Sequence, residues 1–152
     1  MKKRILFICL GNICRSPAAE GVMRTLVHRA GRDAEFEIDS AGIGGWHVGQ
    51  LPDSRMRRHG AERGYTFDSR ARQFSENDFS HFDYILVMDH DNFRAVTAMA
   101  PIPADRNKVR MLTDYLQQHP DASVVPDPYG PADFDYALDL IEDACRGILN
   151  RI

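Results

Sequence analysis

The sequence predicts an α/β fold, a doubly wound parallel sheet with helices on both faces. Three observations carry that prediction. Continuous apolar runs of strand length, "RILFICL" (4–10) and "YILVM" (84–88), read as strands buried on both faces. Segments with helical apolar spacing stand between and after them. Strand and helix alternate along the chain, which implies parallel pairing through right-handed crossovers.

The first strand runs into Ser16 and Pro17, a cap and a first-turn residue that can open a helix. Ala19, Val22, Met23, Leu26 and Val27 then follow helical spacing, and Gly31 can end the turn. "FEIDSAG" (36–42) reads as the second strand, and residues 53–64 as a polar helix closed by Gly64. After the strand at 84–88, Asp89 precedes a helix in "DNFRAVTAMA" that Pro101 stops. "KVRML" (108–112) supplies a fourth, weaker strand. A loop, "QQHPDASVVPDPYGPAD", leads to a last helix with Phe134, Leu138, Ile141, Cys145 and Ile148 on one stripe. The expected architecture is a flavodoxin-like three-layer fold around a four-stranded parallel sheet. Ligands in such folds bind beyond the carboxyl ends of the strands. Cys9, Ser40 and Asp89 all fall there.

The length of 152 residues favours one domain, residues 1–152, with a sizeable core. A formal net charge of -3 gives no bulk attraction to nucleic acid, and no apolar run approaches a membrane span. The N-terminal "MKKRILFICLGNICRSP" has a basic start and an apolar stretch. Asn12 and Arg15 interrupt it too early for a signal peptide. Three cysteines do not make a disulfide framework, which points to a reducing cytoplasm. No second Cys/His cluster has metal-ligand spacing, so neither a metal nor a cofactor is expected.

The chemistry concentrates in "CLGNICRSP" (9–17). Five residues separate Cys9 from Arg15, at the turn from a strand into a helix. A loop of that length can wrap a tetrahedral anion with inward-pointing backbone N–H groups, aided by the helix N-terminus. Leu10, Gly11, Asn12, Ile13 and Cys14 make up the loop, and Gly11 and Asn12 tolerate the unusual backbone angles it needs. The Arg15 fork can grip two anion oxygens. The same field favours the thiolate of Cys9, a nucleophile at the floor of the cradle, and Ser16 can hydrogen-bond to it. A lone cysteine at a strand end is ordinarily apolar filler. The complete loop reverses that reading.

This stretch resembles the low-molecular-weight protein tyrosine phosphatases, whose C-x5-R-S loop lies at the extreme N-terminus. "DSAG", "WHVGQLPD", "ARQF", "FDYILVMD" and "DPYG" follow in the family's order, so the likeness covers nearly the whole chain. The resemblance implies a phosphocysteine on Cys9 and a general acid and base at Asp127, which lies between two prolines. It implies that Asn12 and Ser40 hold the loop, that Asp89 supports Arg15, and that Trp46 and Tyr129 wall the pocket mouth. The mammalian relatives carry a histidine where this chain has Ser69, so that support for the loop is absent or supplied otherwise. Cys14 is either a redox guard, capturing oxidised Cys9 as a disulfide, or apolar filler. Cys145 belongs to the core.

The implied activity is hydrolysis of phosphotyrosine in proteins and of aryl phosphates, by a cytoplasmic monomer without membrane or nucleic-acid partners. A bacterial tyrosine kinase is one expected protein substrate. Three alternatives stand beside it. An arsenate reductase of this fold would need relay thiols in mid-chain, and residues 64–110 contain no cysteine. A protein-arginine phosphatase is expected to carry threonine where this chain has Ile13. A non-catalytic phosphate-binding module would not need Cys9, Arg15 and Asp127 together. Residues 53–72 hold six arginines against three acids, which reads as a solvated helix face or, alternatively, a docking face for a phosphoprotein.

Overall fold

The computed structural model describes residues 1–152. Four parallel strands form one sheet in the order β2-β1-β3-β4: β1 (Lys3–Cys9), β2 (Phe36–Gly42), β3 (Tyr84–Val87) and β4 (Val109–Met111). Phe7 pairs with Ser40 on one side and Leu86 on the other, so β1 is central. Residues 5–9 are buried to 3 % exposure or less, as its unbroken apolar run requires. The expected strands differ from these only at their ends, β4 being shortest.

Alternation along β1 feeds two cores. Ile5, Phe7 and Cys9 face α1 (Arg15–Arg29), α2 (Ser54–Glu62) and α6 (Pro131–Arg151). Leu6 and Ile8 face the other side, where α3 (Asn77–His81) and α4 (His90–Ala98) bring in Phe79 and Val96. The α6 stripe of Phe134, Leu138, Ile141, Cys145 and Ile148 is buried throughout. Gly31 and Gly64 follow α1 and α2 in the left-handed region, with φ of 69° and 88°. No helix is long and apolar enough to cross a membrane.

Three local features depart from the sequence reading. Arg15, not Pro17, is the first residue of α1, and no side chain caps this helix. Ser16 does not cap it, because its hydroxyl is engaged with Cys9 and Asn12. Proline is suited to the first position of a helix, so α6 already starts at Pro131 within the expected loop. The short helices α3 and α5 (Pro103–Arg106) went unpredicted, since four or five residues carry too little periodicity to read.

Candidate active site

β1 ends at Cys9, and the chain turns through residues 10–14 into the N-terminus of α1. The turn depends on Asn12, the one non-glycine residue with positive φ, at 58°. Gly42 at the end of β2 lets the loop lie close, since a Cβ there would stand 2.8 Å from the Gly11 carbonyl carbon. Backbone bonds pin the loop from both sides. Ile43 and Gly44 donate to the carbonyls of Cys9 and Leu10 at 3.1 and 2.9 Å, and Asp53 donates to Ile13 at 2.6 Å.

Beneath the loop runs a directional chain of hydrogen bonds. Asn12 Nδ2 donates to Ser16 Oγ at 2.8 Å and to Ser40 Oγ at 2.9 Å, and Asn12 Oδ1 accepts from the Arg72 amide at 3.0 Å. Ser40 Oγ donates to Glu20 Oε1 at 2.6 Å. A carboxylate only accepts, so Glu20 consumes the one hydrogen of Ser40. Ser40 and Ser16 must then accept from Asn12. That leaves the Ser16 hydrogen for Cys9 Sγ, 3.1 Å away, with the Ala41 carbonyl a longer acceptor at 3.5 Å, and the Ser16 amide also donates to this sulfur at 3.4 Å. Burial raises the Glu20 carboxyl above its usual range, with Ser40 and Arg24 pulling against it. The Arg72 amide that holds Asn12 Oδ1 is itself well placed, because the Arg72 guanidinium is fixed between Asp39 and Asp78.

Arg15 is held from behind. Its Nη1 donates to Asp89 Oδ2 and to the Val125 carbonyl, both at 2.8 Å. Asp89 also accepts from the Asn92 amide at 2.7 Å, so one carboxylate caps α4 and orients the guanidinium. Burial opposes the charge on Arg15, and the negative charges of Cys9, Asp89 and Asp127 outweigh it, so its pKa lies above the ordinary value. The Arg15 Nε is buried with no hydrogen-bond partner, 3.6 Å from Asp127 Oδ1.

Above the loop opens a cleft of about 300 Å³. Cys9, Leu10, Gly11, Ile13, Cys14, Arg15, Trp46, Asp127 and Tyr129 all line it. Asn12, Ser16, Ser40 and Asp89 do not, and their side chains act from beneath and behind. Trp46 and Tyr129 stand exposed at the mouth. Cys14 is half-buried against the larger core, where burial and then the Cys9 charge push its thiol up.

Sequence reasoning missed His47, Asp53, Arg55 and Phe134 in the cleft wall, and Glu20 under the floor. Asp53 caps α2 and pairs with Arg55 at 3.0 Å; the Arg55 hydrogen bond holds its carboxyl below the usual range. Arg55 lies 5.0 Å over the Phe134 ring. Asp53 one residue before a helix was a readable cap. Glu20 looked like any polar residue of an amphipathic helix.

One strand-to-helix loop carries a buried thiol and a guanidinium nitrogen without a hydrogen bond, Asp127 stands beside them at the cleft, and the chain that builds this site matches a known family model. That model is the low molecular weight phosphotyrosine protein phosphatase, and it covers residues 4–152. The chain belongs to this family. A putative low molecular weight protein-tyrosine-phosphatase of Synechocystis is 47% identical over 151 residues, covering 98% of this chain and 96% of the relative. A solved protein tyrosine phosphatase of Entamoeba histolytica, with Hepes in its active site, superposes with a TM-score of 0.94 at 39% identity, over 99% of this chain and 96% of that one. The Drosophila arginine phosphatase structure is also similar, with a TM-score of 0.88 at 33% identity, over 99% and 96% of the two chains.

Proposed function

We propose that this chain hydrolyses phosphotyrosine in proteins, and small aryl phosphates, through a phosphocysteine on Cys9. One observation carries the reading: the buried, unpartnered Arg15 Nε in the cleft wall beside Cys9 and Asp127. A buried N–H without a partner is costly, and an anion in the cradle supplies one. Cys9 Sγ attacks phosphorus while the bond to the aryl oxygen breaks, and Asp127 gives its proton to the departing phenolate. Asp127, now ionised, takes a proton from water, which attacks the phosphocysteine and frees the sulfur. The Ser16 hydroxyl, its hydrogen left free by the Glu20–Ser40–Asn12 chain, donates to that sulfur as it leaves. Arg15, the loop amides and the uncapped start of α1 stabilise the equatorial oxygens in both steps.

Trp46 and Tyr129 at the mouth and the apolar Ile13 in the wall suit an aryl ester. The likeness to the arginine phosphatase structure keeps phosphoarginine as the second reading, which Ile13 disfavours by offering no polar group. Comparing turnover of phosphotyrosyl and phosphoarginyl peptides of one sequence separates the two. Cys14 packs the loop, and once a peroxide has oxidised Cys9 to a sulfenic acid the Cys14 thiol can displace its hydroxyl as water and close a disulfide. A single domain acting as a cytoplasmic monomer on tyrosine-phosphorylated proteins, a bacterial tyrosine kinase among them, completes the proposal. Its three free thiols support a reducing compartment. The test is hydrolysis of p-nitrophenyl phosphate at mildly acidic pH, with and without a chelator. Cys9→Ser should abolish turnover while phosphate still binds, and near-normal turnover would refute the mechanism.

A further inference from the structure

The arginines of residues 53–72 are not equivalent in the fold. Arg55 pairs with Asp53, Arg63 with Asp135, Asp139 and Glu142, and Arg72 with Asp39 and Asp78. Arg57 donates to the Pro52 carbonyl at 2.9 Å and forms no ion pair. Arg58 is exposed and has no ion pair either. Arg70 also has no ion pair, but it donates to the Gly49 carbonyl at 3.2 Å and lies outside the groove; Arg57 and Arg58 line one groove of about 470 Å³ between α2 and residues 65–68. Its floor is the buried Tyr65 and Phe67, their rings stacked at 6.0 Å. Asp68 is the single acid in its lining.

The groove adjoins the catalytic cleft. Along residues 51–55, Asp53 and Arg55 line the cleft, while Leu51 and Ser54 line the groove. One short wall therefore separates them. On the α6 side of the cleft four acids, Asp127, Asp133, Asp135 and Asp139, stand toward solvent; Arg63 pairs with two of them, and its single charge leaves this side net acidic.

We propose that this groove docks an acidic stretch of the phosphoprotein substrate next to its phosphotyrosine, a surface that rests on the phosphatase reading above. The acidic side repels such a stretch, and the groove offers two cations with no carboxylate partner. Arg57 and Arg58 lose no ion pair on binding. A concave groove with an aromatic floor fits an extended peptide rather than a planar lipid surface. Asp68 reduces the attraction and sets a test of opposite sign.

The experiment compares phosphotyrosyl peptides carrying three glutamates on either flank with peptides carrying three glutamines. The acidic flank should raise kcat/KM roughly three- to tenfold at low salt, as two partly exposed ion pairs allow, and the gain should fade at high salt. Arg57→Gln/Arg58→Gln should remove the preference and leave p-nitrophenyl phosphate turnover unchanged. Asp68→Asn should enlarge it. Calorimetric binding of the same peptides to Cys9→Ser protein reads the groove without turnover. If neither turnover nor binding distinguishes the flanks, or the arginine variants keep the full preference, the proposal falls. Arginine-dependent sedimentation with anionic vesicles in place of peptide preference would overturn it in favour of a membrane surface. Loss of p-nitrophenyl phosphate hydrolysis by the unaltered chain would instead refute the phosphatase reading, with the binding comparison still deciding the groove.

Discussion

The floor and the mouth of the cleft are built in opposite ways. In the floor, Asn12, Arg15, Ser16 and Ser40 are at most 3 % exposed, and each is fixed by hydrogen bonds of defined direction. At the mouth, Trp46 is 68 % exposed, Tyr129 is 81 % exposed, and both stand on loops. The floor comes from the ends of β1, β2 and β3 and the start of α1, where packing leaves little freedom. The difference teaches a division of labour. Transition-state charge needs preorganised dipoles, whereas selecting among substrates needs only adaptable surface on a rigid frame.

Substitutions that cut one region and spare the other sharpen that division. The largest effect after loss of the nucleophile should follow Asp127→Ala, which removes a proton donor from the mouth. Phenyl phosphate turnover should fall by roughly 10²- to 10⁴-fold, and esters with good leaving groups should lose far less. Equal slowing of both would take the acid role away from Asp127.

Asn12→Ala should slow every substrate by the same factor, because it disturbs the floor. It strips partners from Ser16, Ser40 and the Arg72 amide and leaves alanine at φ 58°. A loss of about 1–3 kcal/mol should appear as a lower urea midpoint. Asn12→Gly relieves the backbone alone, so the gap between the two variants isolates the strain. An unchanged midpoint in Asn12→Ala would show that the floor holds without it.

The acid limb of stability tests how the mouth is tied down. Asp143 on α6 is buried, which alone would raise its pKa, yet it accepts from His119 Nδ1 at 2.9 Å and from the Gln118 amide at 2.9 Å and is held below the usual range. These bonds anchor the loop that goes on to Val125 and Asp127. A carboxyl depressed in the fold contributes stability that is full above its unfolded value, ~3.9, and is lost as pH falls through the folded value. Glu20 acts with the opposite sign: its raised value favours the fold as pH falls toward the ordinary carboxyl range. Asp143→Asn should lower Tm at neutral pH by several degrees and flatten the acid limb. A limb that keeps its slope would place the pH dependence elsewhere. The smallest effect should be Trp46→Ala, with KM for phosphotyrosyl peptides rising about two- to tenfold, one aromatic contact's worth, and kcat unchanged.

The four strands were legible because apolar runs and glycine stops are local signals. So was the spacing that places Cys9 and Arg15 in one loop. Local reading failed where a residue's role depends on what faces it. Ser16 looked like a helix cap, but Asn12 and Cys9 claim its hydroxyl. Glu20 gave no signal, since its meaning comes from Ser40, twenty residues away. Nothing in the sequence said that the Arg72 amide, sixty residues on, would hold Asn12.

The sequence by itself determined the alternating fold, the strand-to-helix loop from Cys9 to Arg15 and the family, because strand burial, turn chemistry and motif spacing are short-range. Only the tertiary structure decided the direction of the hydrogen bonds under the loop, since a hydroxyl's polarity is set by the partner that packing brings to it. Packing likewise sorted the arginines of residues 53–72 into paired and unpaired. The sequence counts charges, but a charge is spent or free according to the carboxylate that the fold places beside it.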